Sequence, residues 1–474
     1  MPVQRLKLAA LFCGILALSC SGSGGIGAVS CGFGSDGSSD ALVFRNFTLI
    51  DGGDHAPVPN AAMVVEKSGR ISWVGPEADL KAPSGAKTTD LKGALVIPGL
   101  MNLHAHLGNT IDLVQDSKFH TRASVEKDLK TYASYGVTTV LSMGTDQDDI
   151  FPIRNEQRAA FAGESAAASR PPMARVYTTG QGLMFKGGYG GLAGVNQAVA
   201  SPEEAAAAVT VQLDKGVDFI KLWLDDELGT MPKMPAAIAS AIIETAHKRN
   251  VRVLGHIFYL EDAKFLASQG IDGFVHMVRD QPIDQALIDS MEQHGTWQVA
   301  GTLSREASMF AYGSTPPFAS DPFFTRGVSA KTLELIASPE RQKTIASNPN
   351  FKKYPAFFET AKVNFKRLID AGVPFALGTD AGPPGRFPGY FEHWELQLMV
   401  DAGLTPAQAI DAATRRAAMF LGAEDLGTLE PTKWADFVVL DANPLTDIKN
   451  SRKIRAVYIA GSEVPSINQT TGGS

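Results

Sequence analysis

The chain has 474 residues, a 44% apolar share, a 20% charged share and a formal net charge of −7. That length exceeds what one hydrophobic core organises, so a large domain with a smaller companion is expected, and the acidic balance without any basic run speaks against nucleic acid as a partner. All three cysteines, Cys13, Cys20 and Cys31, lie near the N-terminus, which excludes a disulfide or thiol ligand from the folded body.

The first element is a leader. "MPVQRLKLAALFCGILALSC" joins a short basic start, Arg5 and Lys7, to an apolar stretch too short to span a bilayer comfortably, the layout of an export signal over 1–20. Cys20 after "LALS" resembles a lipoprotein cleavage site and leaves a lipid anchor open, although Ala17 stands where that pattern prefers Leu; cleavage after "AVS", before Cys31, is the competitor. Export follows either way, to the periplasm, a membrane anchorage or the medium. Residues 21–40 are Gly/Ser-rich and read as a flexible tether.

Residues 41–93 and 427–463 read as short antiparallel strands separated by turn residues. Neither piece alone could bury a sheet face, so a small β-sandwich built from both is expected, with 464–474 as a flexible tail.

Between them, residues 94–426 alternate short Val/Ile/Phe-rich runs with helix-like segments, the signature of a parallel sheet flanked by helices. The runs are 94–107, 136–144, 174–182, 217–224, 251–258, 272–278, 296–303 and 373–380, and eight of them predict a (β/α)8 TIM barrel. "SPEEAAAAVTVQLDKG", 201–216, carries a Ser cap, an early Pro and a closing Gly, and predicts a helix entering the fourth strand. "EDAKFLASQG" predicts another before the sixth. A long insertion at about 304–355 is expected to form a lid.

Four of nine histidines fall at the C-terminal parts of predicted strands: His104 and His106 on the first, His256 on the fifth and His276 on the sixth. His104 and His106, two apart on a strand, face one side. In a barrel those strand ends converge on one mouth, where Asp380 at the end of the eighth strand joins them. Lys221, within "DFIKLWL" on the fourth strand, is an ammonium too expensive to bury without a partner or a chemical change. Imidazole with carboxylate suits Zn2+ best, with Mn2+, Fe2+ or Co2+ as alternatives. His55, His120, His247, His294 and His393 sit in loops or helices and read as solvated or structural.

"PGLMNLHAHLG", "DFIKLWL", "GHIFYLEDAKFLASQGIDGFVHMV" and "ALGTDAG", in this order, resemble the metal-dependent amidohydrolase superfamily over about residues 41–463, closest to its Xaa-Pro/Xaa-Arg dipeptidase and imidazolonepropionase-like branch. The resemblance implies two divalent ions, one held by His104, His106 and Asp380 and the other by His256 and His276. It implies a carbon dioxide-derived carbamate on Lys221 bridging them. It also implies cleavage of an amide C–N bond by a metal-bridging hydroxide, with Asp380 as general base and acid. Tyr259 matches a position where relatives often place a tyrosine near the substrate carbonyl. Two positions depart from the family pattern: Asn102 replaces the usual aspartate, and Tyr189 stands where relatives often have His.

The expected substrate is a dipeptide or another N-acyl amino acid, with a cyclic amide or ester as the alternative and an inactive surface binding protein as the remaining reading. Arg154, Arg305 and Arg386 are candidates for gripping a substrate carboxylate. A homo-oligomer stays open.

Overall fold

A computed structural model describes residues 40–53, 55–162 and 172–467. The export segment, all of the tether but Asp40, the three cysteines and most of the tail lie outside the described residues. Among the described residues no helix is long and apolar enough to cross a membrane.

Both ends of the folded body meet in one seven-stranded sheet. Its central strand, Lys87–Pro98, runs parallel to Leu42–Leu49 and antiparallel to Phe437–Leu440. Every residue of Phe437–Leu440 is buried, because strand alternation sends Phe437 and Val439 into the core of the sheet and Val438 and Leu440 into the core beneath the helices. Phe437 stacks on Tyr458 with ring centroids 4.5 Å apart, and Phe44 meets it edge-on at 5.0 Å.

The rest is an α/β fold of parallel strands. Leu100–Ala105, Val137–Ser142 and Arg175–Thr178 form a three-stranded parallel sheet. Leu183–Phe185, Ile220–Trp223, Val253–His256, Gly273–Phe274 and Trp297–Gln298 pair successively in parallel in a second sheet. The amide of Asp218 donates to Thr178 O at 2.9 Å, joining the two sheets. Residues 373–381 form no extended ladder, yet they touch both neighbours: Phe375 bridges to Gln298 and Ala381 to Ala105, each in parallel. Asp380 N donates to His104 O at 2.8 Å.

Two expectations change in detail. The run 94–107 is two strands from two sheets, divided at Gly99, where a Cβ would overlap the Thr138 side chain. Only Gly lets the chain cross there. The 304–355 insertion is helical rather than patternless, with helices at Leu303–Ala311, Ala330–Ala337 and Pro339–Ala346. It is fastened by aromatic contacts: Phe318 lies 5.1 Å from Trp394 and Phe324 lies 5.0 Å from Tyr390, both partners on the helix Tyr390–Asp401. The helix expected over 201–216 spans Pro202–Asp214, with the Ser201 hydroxyl accepting from Glu204 N.

His393 is structural. Its ring lies between Tyr135 O, 2.8 Å from Nε2, and the Ser451 hydroxyl, 2.9 Å from Nδ1, tying three separate segments together. Nε2 must donate to the carbonyl, so neutral imidazole satisfies both contacts, and burial pushes the ring down to about 3. Folding therefore draws full benefit above the unfolded value near 6.5 and loses it as pH falls toward 3. Chemical-denaturation midpoints of the wild type are expected to fall between pH 7 and pH 4, and His393→Gln to flatten that dependence while lowering stability at pH 7.

Candidate metal centre

Strand alternation places His104 and His106 on one side of Leu100–Ala105 and its extension, with ring centroids 5.3 Å apart. His104 lies 4.9 Å from the His276 ring, and His276 lies 4.2 Å from the His256 ring. The four imidazoles form one buried group.

His104, His106 and Asp380 offer ligand atoms all within 4.8 Å of one another. Asp380 Oδ1 stands 2.9 Å from His106 Nε2 and 3.6 Å from His104 Nε2. His104 Nδ1 lies 3.0 Å from Val275 O, a pure acceptor, so Nδ1 carries the proton. Nε2 then presents a lone pair toward a carboxylate oxygen. Burial drives His104 well below the ordinary imidazole range, with Asp380 opposing, so a second proton does not resolve the clash. A cation between the acceptors does. Asp380 is ionised: burial works against its charge, but chiefly the Arg386 guanidinium holds its carboxyl well below the usual range. It adopts φ of 59°, a left-handed backbone that aims the carboxylate into the group.

The other rings are fixed from behind. Thr145 Oγ1 lies 2.8 Å from His106 Nδ1, and Thr302 Oγ1 lies 2.9 Å from His276 Nδ1. Thr302, β-branched at φ 50°, is held in a strained conformation to make this contact. Asp225 Oδ2 lies 2.9 Å from His256 Nε2, and Asp225 titrates near 2: burial would raise it, and His256 and Arg279 more than offset that. Burial pushes His256 down to about 4, so Nε2 donates to Asp225 and Nδ1 is the available lone pair. This is the outer-shell carboxylate that orients a ligating histidine. Arg279 Nη1 donates to Ile257 O and Met277 O at 2.8 and 2.9 Å, clamping the residues that follow His256 and His276.

Lys221 is fully buried and its Nζ has no hydrogen-bond partner. Burial pushes its ammonium down to about 7, with Asp380 opposing, and it lies within electrostatic range of His104, His256 and His276. A Cβ on Gly144 or Gly182 would crowd Lys221 Cγ and Trp223. The space around this amine is kept by glycines.

Sequence reasoning placed these six side chains; Thr145, Asp225, Arg279 and Thr302 escaped it. Their one signal is position just past a strand's C-terminal end. Tyr259 opens the helix Leu260–Ser268, and its hydroxyl donates to Asp226 Oδ1 at 2.7 Å. Arg154 donates to Gly216 O at 2.7 Å and pairs with Asp218 at 3.3 Å, before the strand Ile220–Trp223 begins, at the end opposite the histidines. It is a structural arginine. Arg386 does reach Asp380 Oδ2, and Arg305 lies 3.6 Å from the same oxygen. Tyr189 packs 5.1 Å from the His256 ring.

Buried imidazoles with a carboxylate, on the C-terminal ends of parallel strands, define a metal-dependent α/β enzyme. Residues 95–464 match the amidohydrolase family, and the chain belongs to it. It is a hydrolase acting on C–N bonds. The imidazolonepropionase of Deinococcus radiodurans is 25% identical over 432 residues, spanning 87% of this chain and 94% of its own. The ochratoxinase of Aspergillus niger is 24% identical, spanning 86% and 83%. The solved structure of a Xaa-Pro dipeptidase with bound methionine in its active site superposes with a TM-score of 0.67 at 21% identity, covering 89% of this chain and 99% of that one.

Removing the hydroxyls behind the rings tests the geometry. Thr145→Val and Thr302→Val are each expected to weaken Zn2+ binding by about 10–100-fold, measured by competition with a chromophoric chelator.

Proposed function

We propose that the protein hydrolyses an amide C–N bond in a dipeptide or another N-acyl amino acid at a centre of two divalent ions. His104, His106 and Asp380 would hold one ion, His256 and His276 the other, and Lys221, carbamylated by carbon dioxide, would bridge them. The observation that carries this reading is the Lys221 amine, buried and without a hydrogen-bond partner, in electrostatic range of His104, His256, His276 and Asp380. An amine depressed to about 7 is substantially neutral near physiological pH, the nucleophilic form that adds to carbon dioxide. The resulting carbamate turns an unwelcome cation into an anion suited to the site.

Bound divalent ions, Zn2+ best by ligand type, supply Lewis acidity that polarises a carbonyl and acidifies water. Asp380 moves the proton: it accepts from the attacking water and delivers to the leaving amine. Its Oδ2 faces Arg386, which keeps it ionised, and Arg305, and both present guanidinium donors for a substrate carboxylate. Tyr259, at the start of the helix that follows His256 and donating to Asp226, is the residue for the substrate carbonyl.

A cyclic amide is the second reading, favoured by the full-length similarity to imidazolonepropionase. The filled ligand positions argue against an inactive binding scaffold. In the same reading, residues 373–381 are the eighth strand closing a (β/α)8 barrel over 94–426, the terminal segments 41–93 and 427–463 form the companion β-domain, the 304–355 insertion is a lid, and the N-terminal segment exports the protein.

Purified protein is expected to carry about two divalent ions per chain, and chelation to abolish hydrolysis of a panel of dipeptides, N-acyl amino acids and cyclic amides. Metal-free protein that still binds peptides without cleaving them would reject the reading. Lys221→Met should lose activity and about one ion per chain, with partial rescue by short carboxylic acids that take the place of the carbamate.

A further inference from the structure

Asn102 and Glu392 are fully buried, and neither is a ligand in the proposed centre. Asn102 lies two residues before His104. Its Nδ2 donates to Glu392 Oε1 at 2.6 Å and to Thr379 Oγ1 at 2.9 Å. Its Oδ1 accepts from His104 N at 2.9 Å and from Thr379 N at 3.2 Å. All four hydrogen-bonding capacities of the amide are used.

Thr379, next to Asp380, is equally committed: its hydroxyl donates to Glu392 Oε1 at 2.8 Å and accepts from Ala381 N at 3.1 Å. Glu392 Oε2 accepts from Gly389 N at 2.7 Å, which fixes the carboxylate in the first turn of the helix Tyr390–Asp401. Three segments are locked together: the strand carrying His104, the segment carrying Asp380 and the start of this helix. The backbone hydrogen bond from Asp380 N to His104 O runs beside the lock.

We infer that Asn102 and Glu392 are a matched pair of positioning residues that set the register between the His104 and Asp380 segments, and so the spacing of their ligand atoms. This rests on the metal reading above. Hydrogen-bond polarity is what matches the two. An aspartate in place of Asn102 sets two carboxyls face to face in a dry network, where they coexist only by taking up a shared proton that the wild-type pair does not need. A glutamine in place of Glu392 sets a donor against Asn102 Nδ2 and Thr379 Oγ1, or, when flipped, against Gly389 N. With both changes the polarity closes again: the new amide nitrogen at position 392 donates to the new carboxylate at position 102. The amide oxygen accepts from Gly389 N, and the Thr379 hydroxyl turns to the carboxylate. An incompletely satisfied buried network is worse than either matched one.

The test is a double-mutant cycle on the full chain, comparing wild type, Asn102→Asp, Glu392→Gln and the double variant. Zn2+ is titrated into apoprotein against a chromophoric chelator, and unfolding midpoints are measured in EDTA. Each single variant is expected to bind Zn2+ about 10–100-fold more weakly, with kcat falling and KM near wild type. The double variant is expected to return to within about threefold of wild type, a recovery that loss of packing alone would not produce. Wild-type affinity in both single variants, or a double variant whose loss is the product of the two, would overturn the inference. Should a single variant be insoluble, the double decides: restored solubility with Zn2+ binding supports the pairing, and continued insolubility overturns it. A wild-type chain that takes up no divalent ion would instead overturn the proposed function, a separate outcome read before any variant is compared.

Discussion

Across the mouth of the parallel strands, His104 Nε2 and an Asp380 oxygen face each other 3.6 Å apart with no proton between them. His104 Nδ1 is bound to a carbonyl, its Nε2 is left as a lone pair, and that lone pair looks at a carboxylate held ionised by Arg386. Such an arrangement is unfavourable by itself in a water-excluded pocket and favourable around a cation. Lys221 presents the complementary difficulty, a buried amine with nothing to donate to. The surrounding structure is organised to sustain both. Thr145, Thr302 and Asp225 fix the rings, Arg279 clamps the residues behind two of them, and glycines hold open the space around the lysine.

In the proposed mechanism the same residues separate affinity from turnover. Those behind the imidazoles present lone pairs in fixed directions. Asp380 faces the imidazoles with one oxygen and the guanidinium groups of Arg305 and Arg386 with the other. In that mechanism a carboxylate between imidazoles and guanidinium groups serves both as anchor and as proton carrier, because its two oxygens answer to different neighbours.

The grouping of the imidazoles was legible because strands have period two and parallel α/β folds bring strand ends together, so His104, His106, His256, His276 and Asp380 could be placed at one mouth without knowing any contact. Lys221 was legible from cost, since a charge among Phe, Ile, Leu and Trp asks for an explanation. What hid was whatever depends on partners distant in sequence. The break at Gly99 separates two sheets inside one apolar run; the Pro98–Gly99 pair is a turn signal, but that the flanking strands join different sheets depends on partners far away. Strands as short as Gly273–Phe274, and the segment 373–381 with its isolated bridges, carry too little ladder for their lengths to be judged from composition. Thr145 and Thr302 are ordinary residues until the imidazole across from each is known. Arg154 showed the reverse: an arginine is attractive as a carboxylate anchor until its carbonyl and aspartate partners place it at the wrong end of a strand.

The strand Lys87–Pro98 waits for Phe437–Leu440, a neighbour that the ribosome supplies only after all the parallel strands between them. Until then one side of it offers bare amide and carbonyl groups, the kind of edge that recruits strands from other molecules. Pairing across so much sequence also slows assembly. A product cut short before residue 437 would keep its imidazoles and its parallel strands yet lack the seal on this edge, and would be prone to clump rather than to work as a smaller enzyme.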